Sequence, residues 1–307
     1  MIMRYRGALA ALALVGFGAC SGEDRSSNLG SSFVAEAQAP PAAAVCTASG
    51  SSTELPAEVK ESSGLVQSRR DPQLFWTHND AGNAPVIFAV SSDGRMRSQV
   101  RVSGARLEDW EDIDAGPCGG ADCLFIGDIG DNDATRNAIT VYQVEEPRAG
   151  ATTSANAIAR SARYPSGPRD AEAMYVLSGT VYLVTKGRTG AIELYRWPQG
   201  QGTVQLERIR ELFGKPRNKD DLVTSASASP DGKWVAVRTY RTLYIYKAAE
   251  LTAPGNPVPL KADLSATGEK QGEGLAILND GTVWLSSEAG GKKGSPALTR
   301  LSCTLPG

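Results

Sequence analysis

From residue 46 onward the chain alternates short apolar runs with polar turns, and nowhere does it carry the period of a long amphipathic helix. The first group is typical. Residues 63–66 lead to Leu74-Phe75-Trp76-Thr77-His78, then Val86-Ile87-Phe88-Ala89-Val90, the turn Asp93-Gly94, and Gln99-Val100-Arg101-Val102. Such runs, rich in β-branched and aromatic residues and bounded by Gly, Asp and Pro, predict four strands joined by hairpins. The same order recurs with strands at 124–128 and 139–144, at 181–184 and 192–197, and at 234–237 and 243–246. A last group has strands at 283–286 and 298–301. Each group opens on a related phrase: Ser63-Gly64-Leu65, Glu111-Asp112-Ile113, Glu172-Ala173-Met174, Thr224-Ser225-Ala226 and Glu273-Gly274-Leu275, at spacings of 48, 61, 52 and 49 residues.

A period near 50 with four strands per unit predicts a β-propeller. The fold class is all-β, a five-bladed propeller of four-stranded antiparallel blades over 46–307, with six blades as the alternative. The last group lacks a fourth strand before the chain ends, so the segment after Cys46 is expected to supply it and close the ring.

The cysteines fit this closure. Cys118 and Cys123 flank a tight loop and are natural partners, which leaves Cys46 with Cys303 at the two ends of the folded body. The alternative is buried free thiols. A bridge over so long a separation stabilises by roughly 5 kcal/mol in the chain-entropy model. The fifth cysteine, Cys20, follows Arg4, Arg6 and an apolar run that is too short to span a membrane. The ending Phe17-Gly18-Ala19-Cys20 resembles a bacterial lipoprotein cleavage box, with Phe17 in place of the usual Leu. The resemblance implies a signal peptide over 1–20, a lipid on Cys20 as the only membrane attachment, and an outer-membrane location in a host with two membranes. Residues 21–45, mostly Ser, Ala, Pro and Gly, read as a flexible tether. The formal charge of −2 becomes −4 once Arg4 and Arg6 leave with the leader, which disfavours nucleic acid as a partner. A closed ring is expected to be a monomer.

In a propeller the innermost strand of each blade faces the axis, so the entry residues Ser63, Glu111, Glu172, Thr224 and Glu273 form a candidate ring of oxygens. Three carboxylates converging without a cation would cost several kcal/mol or force protonation. Ca²⁺ resolves the conflict, because it takes six to eight oxygens in irregular geometry. The only histidine is His78, and soft metals are therefore disfavoured. The alternative role for these side chains is to hydrogen-bond neighbouring blades and hold the ring shut.

The order Ser, Glu, Glu, Thr, Glu at these entries resembles the calcium-activated nucleotidases, the soluble apyrases. That resemblance implies one Ca²⁺ held by these five residues and hydrolysis of nucleoside di- or triphosphates. The chain departs from it at His78-Asn79-Asp80, where the apyrases carry Asp-Asp-Arg. The phrases His78-Asn79-Asp80-Ala81-Gly82-Asn83, Asp109-Trp110-Glu111-Asp112-Ile113 and Gly127-Asp128-Ile129-Gly130-Asp131-Asn132 are similar to a group of bacterial secreted propeller proteins without an assigned activity.

The ends of the second strands place His78, Asp80, Asp128, Asp131, Lys186, Arg188, Arg238 and Glu288 around the mouth. Lys186 and Arg238 are candidates to bind a phosphate or carboxylate, and Asp128 to activate water. No phosphate-binding loop and no Gly-x-Ser-x-Gly elbow is present. Two classes of function follow. The first is a calcium-binding propeller that holds a small molecule, glycan or protein at its mouth. The second is a calcium-dependent hydrolase of a phosphorylated or lactone-like compound.

Overall fold

A computed structural model describes residues 45–290 and 294–306. The expectations for the leader, Cys20 and the tether through residue 44 lie outside the described residues. Five sheets follow one another along the chain, each starting at one of the repeated phrases. The first blade runs Ser62–Gln67, Leu74–Asn79, Val86–Ser91 and Met96–Arg101. The other inner strands are Trp110–Cys118, Ala171–Leu177, Val223–Ala228 and Gln271–Ile277. The protein is a five-bladed β-propeller.

The ring closes as the missing strand requires. Cys46–Ala48 pairs antiparallel with Ala297–Cys303 in the fifth sheet, with Cys46 opposite Cys303. These two cysteines form a disulfide across 257 residues, and Cys118 is joined to Cys123. The pattern did not anticipate one strand: Thr203–Gln205 leaves the third group and adds in parallel to the outer strand Ile158–Arg163 of the second blade.

Each interface between successive blades is an apolar cluster. Trp76, Ile87 and Val100 of the first blade meet Ile113, Ile126 and Val144 of the second. Phe75, Phe88 and Val90 of the first also meet Ala276 and Leu298 of the fifth. Because both faces of each blade are covered this way, the inner and second strands are buried almost throughout, and they read as continuous rather than alternating apolar runs.

The axis is stitched by polar groups. Asp112 is fully buried, and its carboxylate accepts from Met174 N at 2.8 Å in the third blade and from Ala226 N at 3.0 Å in the fourth. Asp114 accepts in the same way from Val176 N at 2.6 Å. The inner strands crowd against Asp112. Gly64 has φ +68°, and a Cβ there would lie 2.7 Å from Ile113 N and 2.9 Å from the Asp112 Cα, so neither its conformation nor its space admits another residue. Asp112 thus joins the inner strands of the second, third and fourth blades and packs against that of the first.

Candidate metal-binding mouth

Four of the five inner strands are irregular at the repeated position, and the first is irregular just after it. Pairing with the second strand skips a residue between Trp110 and Asp112, Ala171 and Ala173, Val223 and Ser225, and Gly272 and Gly274, and it shifts between Ser63 and Val66. The skipped residues are Glu111, Glu172, Thr224 and Glu273. A β-bulge leaves its extra residue unpaired and re-aims its side chain. This explains why Glu111, Glu172 and Glu273, with Ser63, line one cavity of about 300 Å³.

Within that cavity the five residues take different roles. The Ser63 hydroxyl donates to the Glu111 carbonyl at 2.6 Å, and Thr224 Oγ1 donates to the Gly272 carbonyl at 2.9 Å, each reaching the entry of the next blade. For these two the blade-bridging alternative describes the geometry, and Thr224 does not line the cavity. Glu172 is paired with Lys186, so a basic partner that the entry phrases alone do not reveal neutralises it. Glu273 accepts from the Tyr240 hydroxyl at 3.0 Å. Glu111 is different. It is only 5% exposed, and its carboxylate makes no hydrogen bond among the described residues.

Two further carboxylates meet Glu111. One oxygen each of Asp80, Asp109 and Glu111 lies within 4.8 Å of the others. Asp80 follows the strand that carries His78, and its backbone N donates to the Glu61 carbonyl at 3.1 Å. Asp109 is fixed more tightly. Asp128 accepts from the backbone N of Glu108 at 3.1 Å and of Asp109 at 3.2 Å. The Arg136 guanidinium bonds both Asp128 at 2.8 Å and the Gly130 carbonyl at 2.7 Å. Gly130 in turn packs on the cluster: a Cβ there would lie 2.3 Å from Glu111 Oε1 and 2.4 Å from Asp109 Oδ2.

The electrostatics follow from this crowding. Burial, then the charges of Asp80 and Asp170, push Asp109 up to about 6. Burial, then Asp80 and Asp109, hold Glu111 well above the usual carboxylate range. Asp80 is raised by burial, and the Lys186 charge partly offsets the rise at both Asp80 and Glu111. His78 is not part of the cluster. It is fully buried edge-on to Trp110, Nδ1 faces the Asn79 carbonyl at 3.1 Å, and burial lowers it to about 4. The groups available to an ion are therefore the oxygens of three carboxylates, and the cluster could hold a hard divalent cation.

No protein-family model and no curated protein matches the sequence. Solved structures do resemble it in fold. The PQQ-bound aldose sugar dehydrogenase of Streptomyces coelicolor aligns with a TM-score of 0.52 and 11% identity, over 87% of this chain and 100% of the other. The major Malassezia sympodialis allergen Mala s 1 aligns with a TM-score of 0.52 and 8% identity, over 82% and 96%. Regucalcin from Agrobacterium tumefaciens, a calcium-binding protein, aligns with a TM-score of 0.41 and 16% identity, over 77% and 69%. At these identities the likeness concerns the fold alone.

The three residues read from the sequence as candidates for chemistry are differently placed. Lys186 lines the mouth but is paired with Glu172. Asp128 does not line it and is engaged by Arg136 and two backbone donors, so it positions Asp109. Arg238 is fully buried between Glu269, at 3.0 Å, and the Gly274 carbonyl, at 3.1 Å, in space left by the missing side chain of Gly272. The entry alignment missed Asp109 and Gly130, although both stand inside the quoted phrases. Asp109 lies two residues before the repeated position, and Gly130 two residues beyond the end of a second strand.

Proposed function

We propose that this protein binds Ca²⁺ at its mouth through Asp80, Asp109 and Glu111 and uses the ion to hold a small anionic molecule, a glycan or a partner's acidic group. The observation that carries the reading is the Glu111 carboxylate, nearly fully buried, unpartnered among the described residues, and beside two more carboxylates. When bound, Ca²⁺ supplies the positive charge this cluster lacks and an open coordination position for an acceptor oxygen. Lys219, which lines the same cavity and has no acidic partner among the described residues, adds a cationic donor for that ligand, while Arg188 beside it is paired with Asp170 at 3.8 Å. In this reading Ser63, Glu172, Thr224 and Glu273 shape and brace the mouth, and Glu111 alone of the five ligates.

Export and a lipid on Cys20 form part of the proposal. Two disulfides are compatible with an oxidising compartment, and among the described residues no helix is long and apolar enough to cross a membrane. The test is calorimetric titration of Ca²⁺ into chelator-treated protein. One site is expected in the wild type, with at least tenfold weaker binding in Asp109→Asn; equal binding by both would refute the assignment.

A second reading, calcium-dependent hydrolysis of a phosphate ester or lactone, is favoured by one observation. Glu288 pairs across the strands with Gln271, which lines the mouth, and burial, then Glu273 and Asp80, push its carboxyl up to about 7, where it can exchange a proton at neutral pH. Turnover of a panel of nucleotides, phosphate esters and lactones that is abolished by chelator would support it. No turnover in either condition leaves the binding reading.

A further inference from the structure

A second cavity lies away from the mouth. It has a volume of about 610 Å³, within the range of small-molecule sites. It sits where the first hairpins of the fourth and fifth blades meet, at the turns before Trp234–Thr239 and Thr282–Glu288. Inner strands start at the mouth and end at these turns, so the cavity opens on the opposite face of the propeller.

Its walls divide by chemistry. Trp234, which is 7% exposed, forms the apolar side together with Leu305 and Pro306 of the segment after the disulfide. The polar side carries Lys233, Lys247 and Asn279. Asn279 Oδ1 accepts from Asp231 N at 2.9 Å and ties the two turns together. That bond fixes which end of the amide is used, and it leaves the NH₂ group to act as a donor. The one carboxylate of the wall among the described residues, Asp231, is committed: it accepts from Ser229 Oγ at 2.7 Å and from Lys233 N at 3.1 Å, and pairs with Lys233 Nζ at 3.3 Å. Lys247 has no acidic partner among the described residues. The polar side thus presents donors and one uncompensated cation, opposite an apolar wall.

We propose that this cavity binds a small amphipathic anion, an aromatic or branched carboxylate or sulfonate. The anionic group would be met by Lys247 and Asn279, and the apolar body would lie against Trp234, Leu305 and Pro306. The single spare cation fits a monoanion, and the apolar wall rejects a free inorganic ion. The site is independent of the metal at the mouth.

The test uses 8-anilinonaphthalene-1-sulfonate, titrated into the folded wild-type protein and followed by its fluorescence. One saturable site is expected, from which 3-indolepropionate displaces the dye while its neutral amide does so at least tenfold less well. Lys247→Glu, an exposed position, should weaken dye binding at least tenfold with an unchanged circular dichroism spectrum, and adding chelator should change nothing. The proposal is overturned if no saturable binding occurs. It is equally overturned if Lys247→Glu binds the dye like wild type, or if acid and amide compete equally, since any of these would mean nonspecific apolar contact. Since Ca²⁺ titration at the mouth is read separately, failure here leaves that site untouched.

Discussion

Replacing Glu111 by Gln separates an ion-binding mouth from a merely crowded one, because only the first predicts that calcium stabilises the wild type more than the variant. Glu111 is held well above its ordinary range, by burial first and by Asp80 and Asp109 next. A carboxylate raised in the folded state weakens the fold once the pH exceeds its unfolded value, so at neutral pH without an ion the charge is a liability. In chelator, Glu111→Gln should therefore melt no lower than wild type and is expected to melt higher. Added Ca²⁺ should stabilise the wild type more than the variant. An ion bound only by the folded state stabilises by RT ln(1 + [Ca²⁺]/Kd), about 2.7 kcal/mol at a hundredfold excess. At the lower end of the usual scale, about 2 °C per kcal/mol for a domain of this size, wild type should gain roughly 5 °C. If the variant binds tenfold more weakly, the same calcium concentration gives about 1.4 kcal/mol, or roughly 3 °C. The assay is thermal unfolding followed by circular dichroism over a calcium series, with chelator as zero. A wild type that melts alike in chelator and in calcium, with Glu111→Gln higher throughout, would refute the reasoning.

Gly130→Ala should weaken Ca²⁺ at least tenfold in calorimetry with little change in the far-ultraviolet spectrum, because its Cβ would stand 2.3 Å from Glu111 Oε1 and displace the ligands rather than the blades. Removing the Cys46–Cys303 bridge by a double Ser substitution should cost up to about 5 kcal/mol, whereas removing Cys118–Cys123, which closes a five-residue separation, should cost about 2, both read from denaturant midpoints. Asp114 is pushed up to about 7 by burial, so its contribution to stability is present below about 4 and is lost as the pH rises to about 7. Asp114→Asn should flatten the fall in melting temperature across that window, whatever it does to the absolute value; an unchanged slope would remove Asp114 as the cause.

The repeated entry phrase made the five blades legible because each blade must start with the same geometry, and the leftover strand at Cys46 made the closure legible. The roles of the entry residues were harder to read. In four blades their position is a β-bulge, which aims Glu111, Glu172 and Glu273 at one cavity but leaves each to find its own partner. Lys186 lies 14 positions beyond Glu172 and meets it only because the hairpin of the third blade returns the chain to the mouth. Asp80 and Asp109 belong to different blades, so the cluster with Glu111 exists only once the first two blades pack. Arg238 carries the residue type of an anion binder, yet Gly272 makes room for it to be buried as a brace. Residue type and spacing singled out Ser63, Glu111, Glu172 and Glu273, which line one cavity, whereas which of their carboxylates is left without a partner depends on contacts within and across blades.

The most direct measurement is anomalous diffraction from crystals grown with Ca²⁺. An ion is expected off the propeller axis, about 2.3–2.6 Å from carboxylate oxygens of Asp80, Asp109 and Glu111. An ion on the axis, shared among Ser63, Glu111, Glu172, Thr224 and Glu273, or no ion at millimolar calcium, would contradict the account.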